Sequence, residues 1–268
     1  MKSQFNQNGY ILIKNMFSKS QMLDLLKEIH SVFRNQFEQR NFSYQKGEFL
    51  QDSDLFRFFS HYKDDYIKCM MLVQNSVLLY RYGTDEQLIK KIQEVGSSHP
   101  IFSTKALIFL NIEKTSSDFG NWKIPAHQDW RSIQGSLNST VVWVPIVDCP
   151  IELGALEVIP SSHKEGLLPS QEDNWYAHVK NDCYNNNSFI KVPMQQGDAL
   201  IFSMFLLHRS GINVSNNIRY SFQLRYNDFS EPTFIERKYP NPYLPSPPQK
   251  DLITPDFPQK NQIEKIFK

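Results

Sequence analysis

Cysteine is scarce. The chain has only Cys69, Cys149 and Cys183, widely spaced and odd in number. That excludes a disulfide framework, and with no Cys-x-x-Cys it gives no zinc signature; a reduced, cytoplasmic setting is the expectation. An excess of charge of either sign is also missing, with 29 basic residues against 28 acidic ones. Nothing in that balance asks for a nucleic acid or an anionic membrane as partner. No concentrated Lys/Arg cluster is visible. Long apolar runs are absent too. The opening Met1–Gln7 lacks the apolar stretch of a secretion signal, and no segment is long enough to span a bilayer. Neither an internal repeat nor a low-complexity block is visible. These absences leave a soluble intracellular protein as the default.

What is present is material for a core. Apolar residues make up 40% of 268, with 20 Phe and 12 Tyr. Such a length allows one large domain or two small ones. Residues 9–17 (GYILIKNMF) read as a short strand. Ser18 with Gln21 three residues on forms a capping box, and Met22, Leu25, Leu26, Ile29, Val32 and Phe33 follow a 3.6 period, predicting a helix to about Phe37. Residues 38–63 are mixed, with Phe49, Leu50, Leu55, Phe56, Phe58 and Phe59 as anchors. A second helix is expected from Asp64 to about Tyr82, and a third from a Thr84/Gln87 cap to Gly96. The character then changes. Residues 101–112, 140–147, 156–160, 199–207 and 218–226 are strand-like, separated by polar loops at 113–123 and 169–188. The segment from Glu231 is rich in proline and reads as a wrapping or edge segment. The pattern predicts a mostly β protein with flanking helices. Its core reads as a jelly-roll type β barrel with the helices packed outside it, preceded by a helical N-terminal region. A single domain over 1–268 is expected, with helices at about 18–96, the barrel at about 101–228 and the tail at 231–268.

Chemistry concentrates in residues 124–130 (IPAHQDW). His127 and Asp129 are two apart, so on a β-strand they would share a face. An imidazole beside a carboxylate supplies two thirds of the facial 2-His-1-carboxylate set that suits Fe(II) and leaves positions open. A lone His-x-Asp carries little weight in a chain with seven histidines; a surface turn or a core histidine explains it as well. Farther along, His208 ends an apolar strand, and eleven residues later Arg219 opens an alternating one. Arg219, Ser221, Gln223 and Arg225 share one face; Tyr220, Phe222, Leu224 and Tyr226 share the other. Either face could be the inner one by periodicity alone.

His127-x-Asp129, Trp143, Gly154-Ala155-Leu156, residues 159–163 (IPSSH), Gly197-Asp198, His208, Asn213 and Arg219, in this order, resemble the phytanoyl-CoA dioxygenase family of Fe(II)/2-oxoglutarate oxygenases. The likeness runs over roughly residues 8–228. Ser161 stands where that family usually has glycine, and the loop at 169–190 is idiosyncratic. The resemblance implies a double-stranded β-helix (jelly-roll/cupin-like) with iron held by His127, Asp129 and His208, and Arg219 on the distal carboxylate of 2-oxoglutarate. A guanidinium fork matches a carboxylate and stays charged when buried. Ser221, one pleat away, would add a second hydrogen bond. Asn111 and Trp143 are candidates to touch 2-oxoglutarate, and Trp130, Arg131 and Arg225 to touch substrate. His163 reads as a turn residue with a structural hydrogen bond, His30 and His61 as solvated or core residues, and His178 as a loop residue with no partner in view.

The implied reaction is hydroxylation of an unactivated C–H bond of a small metabolite or natural-product intermediate, consuming O2 and 2-oxoglutarate and releasing succinate and CO2. Desaturation, epimerisation and ring formation stay open, as do the oligomeric state and the roles of the tail and the loops. The loops at 113–126 and 169–190 are candidate lids. Two other readings remain: a cupin-like metalloenzyme that uses no 2-oxoglutarate, and a non-catalytic binding protein on the same barrel.

Overall fold

A computed structural model describes residues 1–111, 124–172, 177–242 and 257–267. Five β-strands and the longest one, β11 (Arg219–Asp228), build the larger sheet. The others are β1 (Tyr10–Ile13), β2 (Pro100–Phe102), β3 (Leu107–Asn111), β4 (Thr140–Pro145) and β9 (Ala199–Ser203). The order is β1-β9-β4-β11-β2, with β3 also paired to β11, and every pairing is antiparallel. A smaller antiparallel sheet runs β10 (His208–Arg209), β5 (Leu156–Val158) and β8 (Ile190–Val192). The two sheets face each other: the ring of His208 on the smaller sheet meets that of Phe202 on the larger, centroids 4.7 Å apart. This is the jelly-roll core with a helical N-terminal region that the strand pattern predicts.

The alternation on β11 decides which face is which. Arg219, Ser221, Gln223 and Arg225 are buried and point between the sheets. Tyr220, Phe222, Leu224 and Tyr226 are buried as well, because helices cover them. Phe17 and Tyr82 pack on Phe222, and the Tyr226 hydroxyl donates to the Gly83 carbonyl. His30 closes the far end: the Leu50 amide donates to its Nδ1, so its Nε2 carries the proton and donates to the Tyr220 hydroxyl, which donates to Asp52. A buried aromatic ladder of this kind supplies much of the sheet's apolar burial, at roughly 2 kcal/mol per large side chain.

Helices follow the apolar periodicity with four corrections. Helix α2 (Lys19–Gln39) starts at the Ser18/Gln21 capping box as expected. The stretch left as mixed contains α3 (Asp52–His61), whose acidic first turn suits the helix dipole and whose Leu55, Phe58 and Phe59 form one buried stripe. The expected single helix over 64–82 is two, α4 (Lys63–Val73) and α5 (Val77–Gly83). Between them Ser76 turns its hydroxyl to the Leu78 amide, trading helix continuation for a cap. The third cap is Asp85, not Thr84, and α6 (Glu86–Val95) follows it. An unforeseen helix α1 (Lys2–Asn8) precedes β1.

The barrel needed corrections too. The run 199–207 is not one strand: β9 stops at Ser203, a turn follows, and His208 opens β10 in the other sheet. The polar segment at 169–188 contains paired strands β6 (Ser170–Glu172) and β7 (Ala177–Val179), and 3-10 turns at Asn181–Cys183 and Asn186–Ser188. In the tail, α8 (Pro232–Glu236) and α9 (Lys260–Ile266) are described, α9 resting on the 3-10 turn Ser162–Glu165 through Lys260 and Glu165. Ser161 has φ 67, the left-handed region, which explains glycine as the usual residue there. Here its hydroxyl donates to the Gln7 carbonyl at 2.7 Å. Both candidate lids lie partly outside the described residues.

Candidate metal centre

The three donors come from three kinds of backbone. His127 forms an isolated antiparallel bridge with His208, the first residue of β10. Asp129 is not on a strand; it sits in a helical conformation as the N-cap of the short α7 (Trp130–Ile133). The period-of-two argument therefore does not bring His127 and Asp129 together. A tight turn does, and Gln128 between them fixes it. Its side chain, buried, donates to the Gly166 and Phe205 carbonyls and accepts from the Leu168 amide. Gln128 was passed over in sequence, although a long amide wedged between two ligand candidates was a signal.

One ligand atom from each of His127, Asp129 and His208 can be chosen so that all lie within 4.8 Å of one another, and all three residues are buried. Each imidazole has its tautomer set from behind. His127 Nδ1 lies 2.8 Å from the Pro125 carbonyl and His208 Nδ1 3.0 Å from that of Leu206. A carbonyl only accepts, so both Nδ1 atoms donate, and Nε2 is the atom of each ring left to ligate a metal. Those Nε2 atoms stand 3.7 and 3.9 Å from the Asp129 carboxylate. Burial opposes ionisation of Asp129, yet the Arg225 guanidinium overrides it and holds that carboxyl below the usual carboxylate range. Burial, with His127 adding to it, lowers His208 to about 3. Asp129 Oδ2 is buried and has no hydrogen-bond partner. Two imidazole nitrogens and one carboxylate with an orphaned oxygen are a donor set that suits a divalent metal such as Fe(II), so the residues fit the ion.

Arg219 and Ser221 lie deeper along the same face of β11. Arg219 is buried, donates to the Gly154 carbonyl, and leaves its Nε without a partner. No carboxylate pairs with it among the described residues. An unpaired buried guanidinium costs several kcal/mol, and burial lowers its pKa. Ser221 Oγ is likewise buried and unsatisfied. Asn111 sits directly across the ladder from Arg219 and so shares its face. The Arg219 guanidinium is 5.8 Å from the Trp143 ring. These orphaned donors fit a bound dicarboxylate such as 2-oxoglutarate.

The three substrate candidates land differently. Trp130 is core: it stacks on Phe205 at 5.2 Å and donates its indole N–H to the Ser136 carbonyl. Arg131 donates to the Leu168 carbonyl. Arg225 pairs with Asp129 and Gln223, and it also lines a cavity of about 100 Å³ that reaches Asp129. Thr104, Lys105, Leu107, Ser132 and Ile133 complete its wall, and none of them was singled out in sequence. The other histidines are structural. His163 is buried and its Nε2 faces the Asn6 carbonyl. His61 pairs with the Arg57 carbonyl. His178 does have a partner, Gln171, at 2.7 Å.

Two facing antiparallel sheets around a buried His-Asp-His donor set define a jelly-roll protein with a candidate facial metal site. The family model for phytanoyl-CoA dioxygenase matches residues 5–221, and the chain belongs to that family. The peroxisomal phytanoyl-CoA dioxygenase of Bos taurus is 22% identical over 232 residues, 84% of this chain and 66% of that protein. The chain thus matches just under two thirds of that relative's length. Among solved structures, the non-heme monooxygenase ThoJ has a TM-score of 0.61 at 15% identity, over 85% of this chain and 77% of its own. The epimerase SnoN, in complex with Fe3+, alpha ketoglutarate and nogalamycin RO, has a TM-score of 0.60 at 17% identity, over 92% and 91%. At such identities the likeness establishes the fold. Among the described residues no helix is long and apolar enough to cross a membrane.

Proposed function

We propose that this chain is a non-haem Fe(II)- and 2-oxoglutarate-dependent oxygenase that hydroxylates an unactivated C–H bond of a small metabolite or natural-product intermediate. One observation carries the reading: the three-donor cluster shares its interior face with a buried guanidinium, Arg219, that has no carboxylate partner among the described residues. A cupin-like metal site alone has no need of such a cation. Iron and 2-oxoglutarate in the SnoN complex support the same assignment on the same fold. Helices and sheets share one buried cluster, which supports a single functional unit.

His127 Nε2, His208 Nε2 and Asp129 Oδ2 would hold the iron. Iron bound there supplies O2 activation coupled to conversion of 2-oxoglutarate into succinate and CO2. Arg219 would take the distal carboxylate of 2-oxoglutarate, with Ser221 donating a second hydrogen bond and Asn111 and Trp143 flanking it. The paired sheets exclude water from the reacting atoms, which strengthens each of these charged contacts. A substrate would approach through the cavity beside Asp129, where Leu107 and Ile133 offer apolar contact and Thr104, Ser132 and Lys105 offer polar contact. Its volume suits a small molecule.

Anaerobic apo-protein titrated with Fe(II) and then 2-oxoglutarate tests the proposal. The expected result is the visible charge-transfer band of an iron–keto-acid chelate. Folded, iron-loaded protein that gives no band sinks the 2-oxoglutarate reading and leaves the cupin-like one. Succinate released in step with loss of a substrate C–H bond excludes a non-catalytic binding protein.

A further inference from the structure

Resting on the iron assignment above, we propose that Arg225 is a positioning residue that fixes Asp129 as a one-oxygen metal ligand, with Gln223 as its brace. Arg225 Nη2 lies 3.1 Å from Asp129 Oδ1 and 2.8 Å from Gln223 Oε1. The Arg225 and Asp129 side chains are 5% and 4% exposed, so the pair is shielded from solvent screening. The contact falls on Oδ1 and leaves Oδ2 without a hydrogen bond. One carboxylate oxygen is thereby held by a guanidinium, with His127 Nε2 3.7 Å from that same oxygen, while Oδ2 faces His208 Nε2 at 3.9 Å.

The two histidines are anchored elsewhere: their Nδ1 atoms donate to the Pro125 and Leu206 carbonyls, and their Nε2 atoms stand 3.7 and 3.9 Å from the carboxylate, beyond hydrogen-bond distance. Arg225 is the guanidinium paired with Asp129 among the described residues. Without it Asp129 would be a buried charge with no compensation, free to turn away or to offer both oxygens. A planar guanidinium suits the task better than an ammonium, because its nitrogens lie in fixed directions and Gln223 sets the plane. β11 supplies the rigidity: Gln223 and Arg225 are one pleat apart on a strand paired on both sides to β3 and β4 or to β2 and β4. The same strand carries Arg219, so one element sets both the carboxylate ligand and the keto-acid clamp.

The test is metal affinity, measured anaerobically with Fe(II) against a chelator, for wild type, Arg225→Gln, Arg225→Lys and Gln223→Leu. Losing a partner that orients a ligand costs about 10- to 100-fold in metal affinity, and that range is expected for Arg225→Gln. Arg225→Lys should recover part of it, and Gln223→Leu should lose several-fold. At saturating iron, the affinity for 2-oxoglutarate should stay near wild type while the charge-transfer band shifts, since Asp129 is free to change how it binds. Wild-type iron affinity with an unshifted band in Arg225→Gln overturns the proposal. If that variant fails to fold, wild-type affinity in both Arg225→Lys and Gln223→Leu does the same. A raised substrate KM with unchanged metal affinity would instead make Arg225 a substrate contact. Wild-type protein that binds no Fe(II) fells the iron assignment itself, and this inference with it.

Discussion

His127 and His208 exchange both backbone hydrogen bonds, at 3.0 Å and 3.2 Å, as one antiparallel pair. The segment that begins at Ile124 is thus stitched to the smaller sheet at the position where both imidazoles project inward, 4.1 Å apart by centroids. The backbone ladder does the positioning, and the side chains are left for chemistry. His127→Ala should therefore abolish Fe(II) binding while shifting apo-protein stability by only about 1 kcal/mol. Thermal melts with and without metal check this. Wild type should gain about 2.7 kcal/mol when Fe(II) is at a hundred times its Kd, and the variant should gain nothing.

Arg219 should be separable from the metal. Its guanidinium reaches Gly154 and the space between the sheets, not Asp129. Arg219→Ala should leave Fe(II) affinity within a few-fold and weaken 2-oxoglutarate by about 100-fold, the equivalent of a lost charge-assisted contact worth about 3 kcal/mol. Isothermal titration of metal-loaded protein with 2-oxoglutarate measures it. An unchanged keto-acid affinity would remove the residue from the site.

How much of this was legible beforehand depended on whether a residue's role is set locally. The α2 cap at Ser18 and the alternation on β11 are short-range patterns, and both appear where sequence places them. Which face of β11 points inward was not readable, because both faces are buried and only the covering helices distinguish them. The division of 199–207 between two sheets was hidden too, since an apolar run looks the same before and after a turn. Gln128 and the wall of the cavity depend on contacts between distant segments, and periodicity carries no trace of those.

Acid should unfold the protein earlier than its surface charge suggests. Burial lowers His30 and His163 to about 4 each, against an ordinary value of 6.5. Between those values the unfolded chain binds more protons than the folded one, so stability falls as pH falls. Their contribution is complete above pH 6.5 and is lost on the way down through pH 4, with a slope of up to about 1.4 kcal/mol per pH unit for each. The Asp52 carboxyl, pushed up by burial, takes a proton in the same relay and opposes the loss at the acid end. Urea midpoints from pH 4.5 to 7 should fall steadily, and His30→Gln should reduce the slope. A flat profile would mean that these histidines stay solvated.

Gly154 should matter to 2-oxoglutarate without touching it. It has φ 80, and a Cβ built there would stand 2.9 Å from the Gly211 carbonyl oxygen and 3.0 Å from the Asn213 amide. Both clashes are with backbone, so neither neighbour can swing aside. An alanine must therefore push the 154–155 segment away from 211–213, with strain of about 1–3 kcal/mol. The carbonyl displaced is the one that accepts from Arg219, so the guanidinium loses the contact that aims it. Gly154→Ala should thus lower stability and weaken 2-oxoglutarate binding together, while leaving Fe(II) affinity near wild type, because the His127–His208 pair lies outside the disturbed turn. Equal weakening of metal and keto acid would show that the damage spreads through the whole smaller sheet. Loss of stability with keto-acid affinity intact would show that Arg219 is aimed by something other than the Gly154 carbonyl.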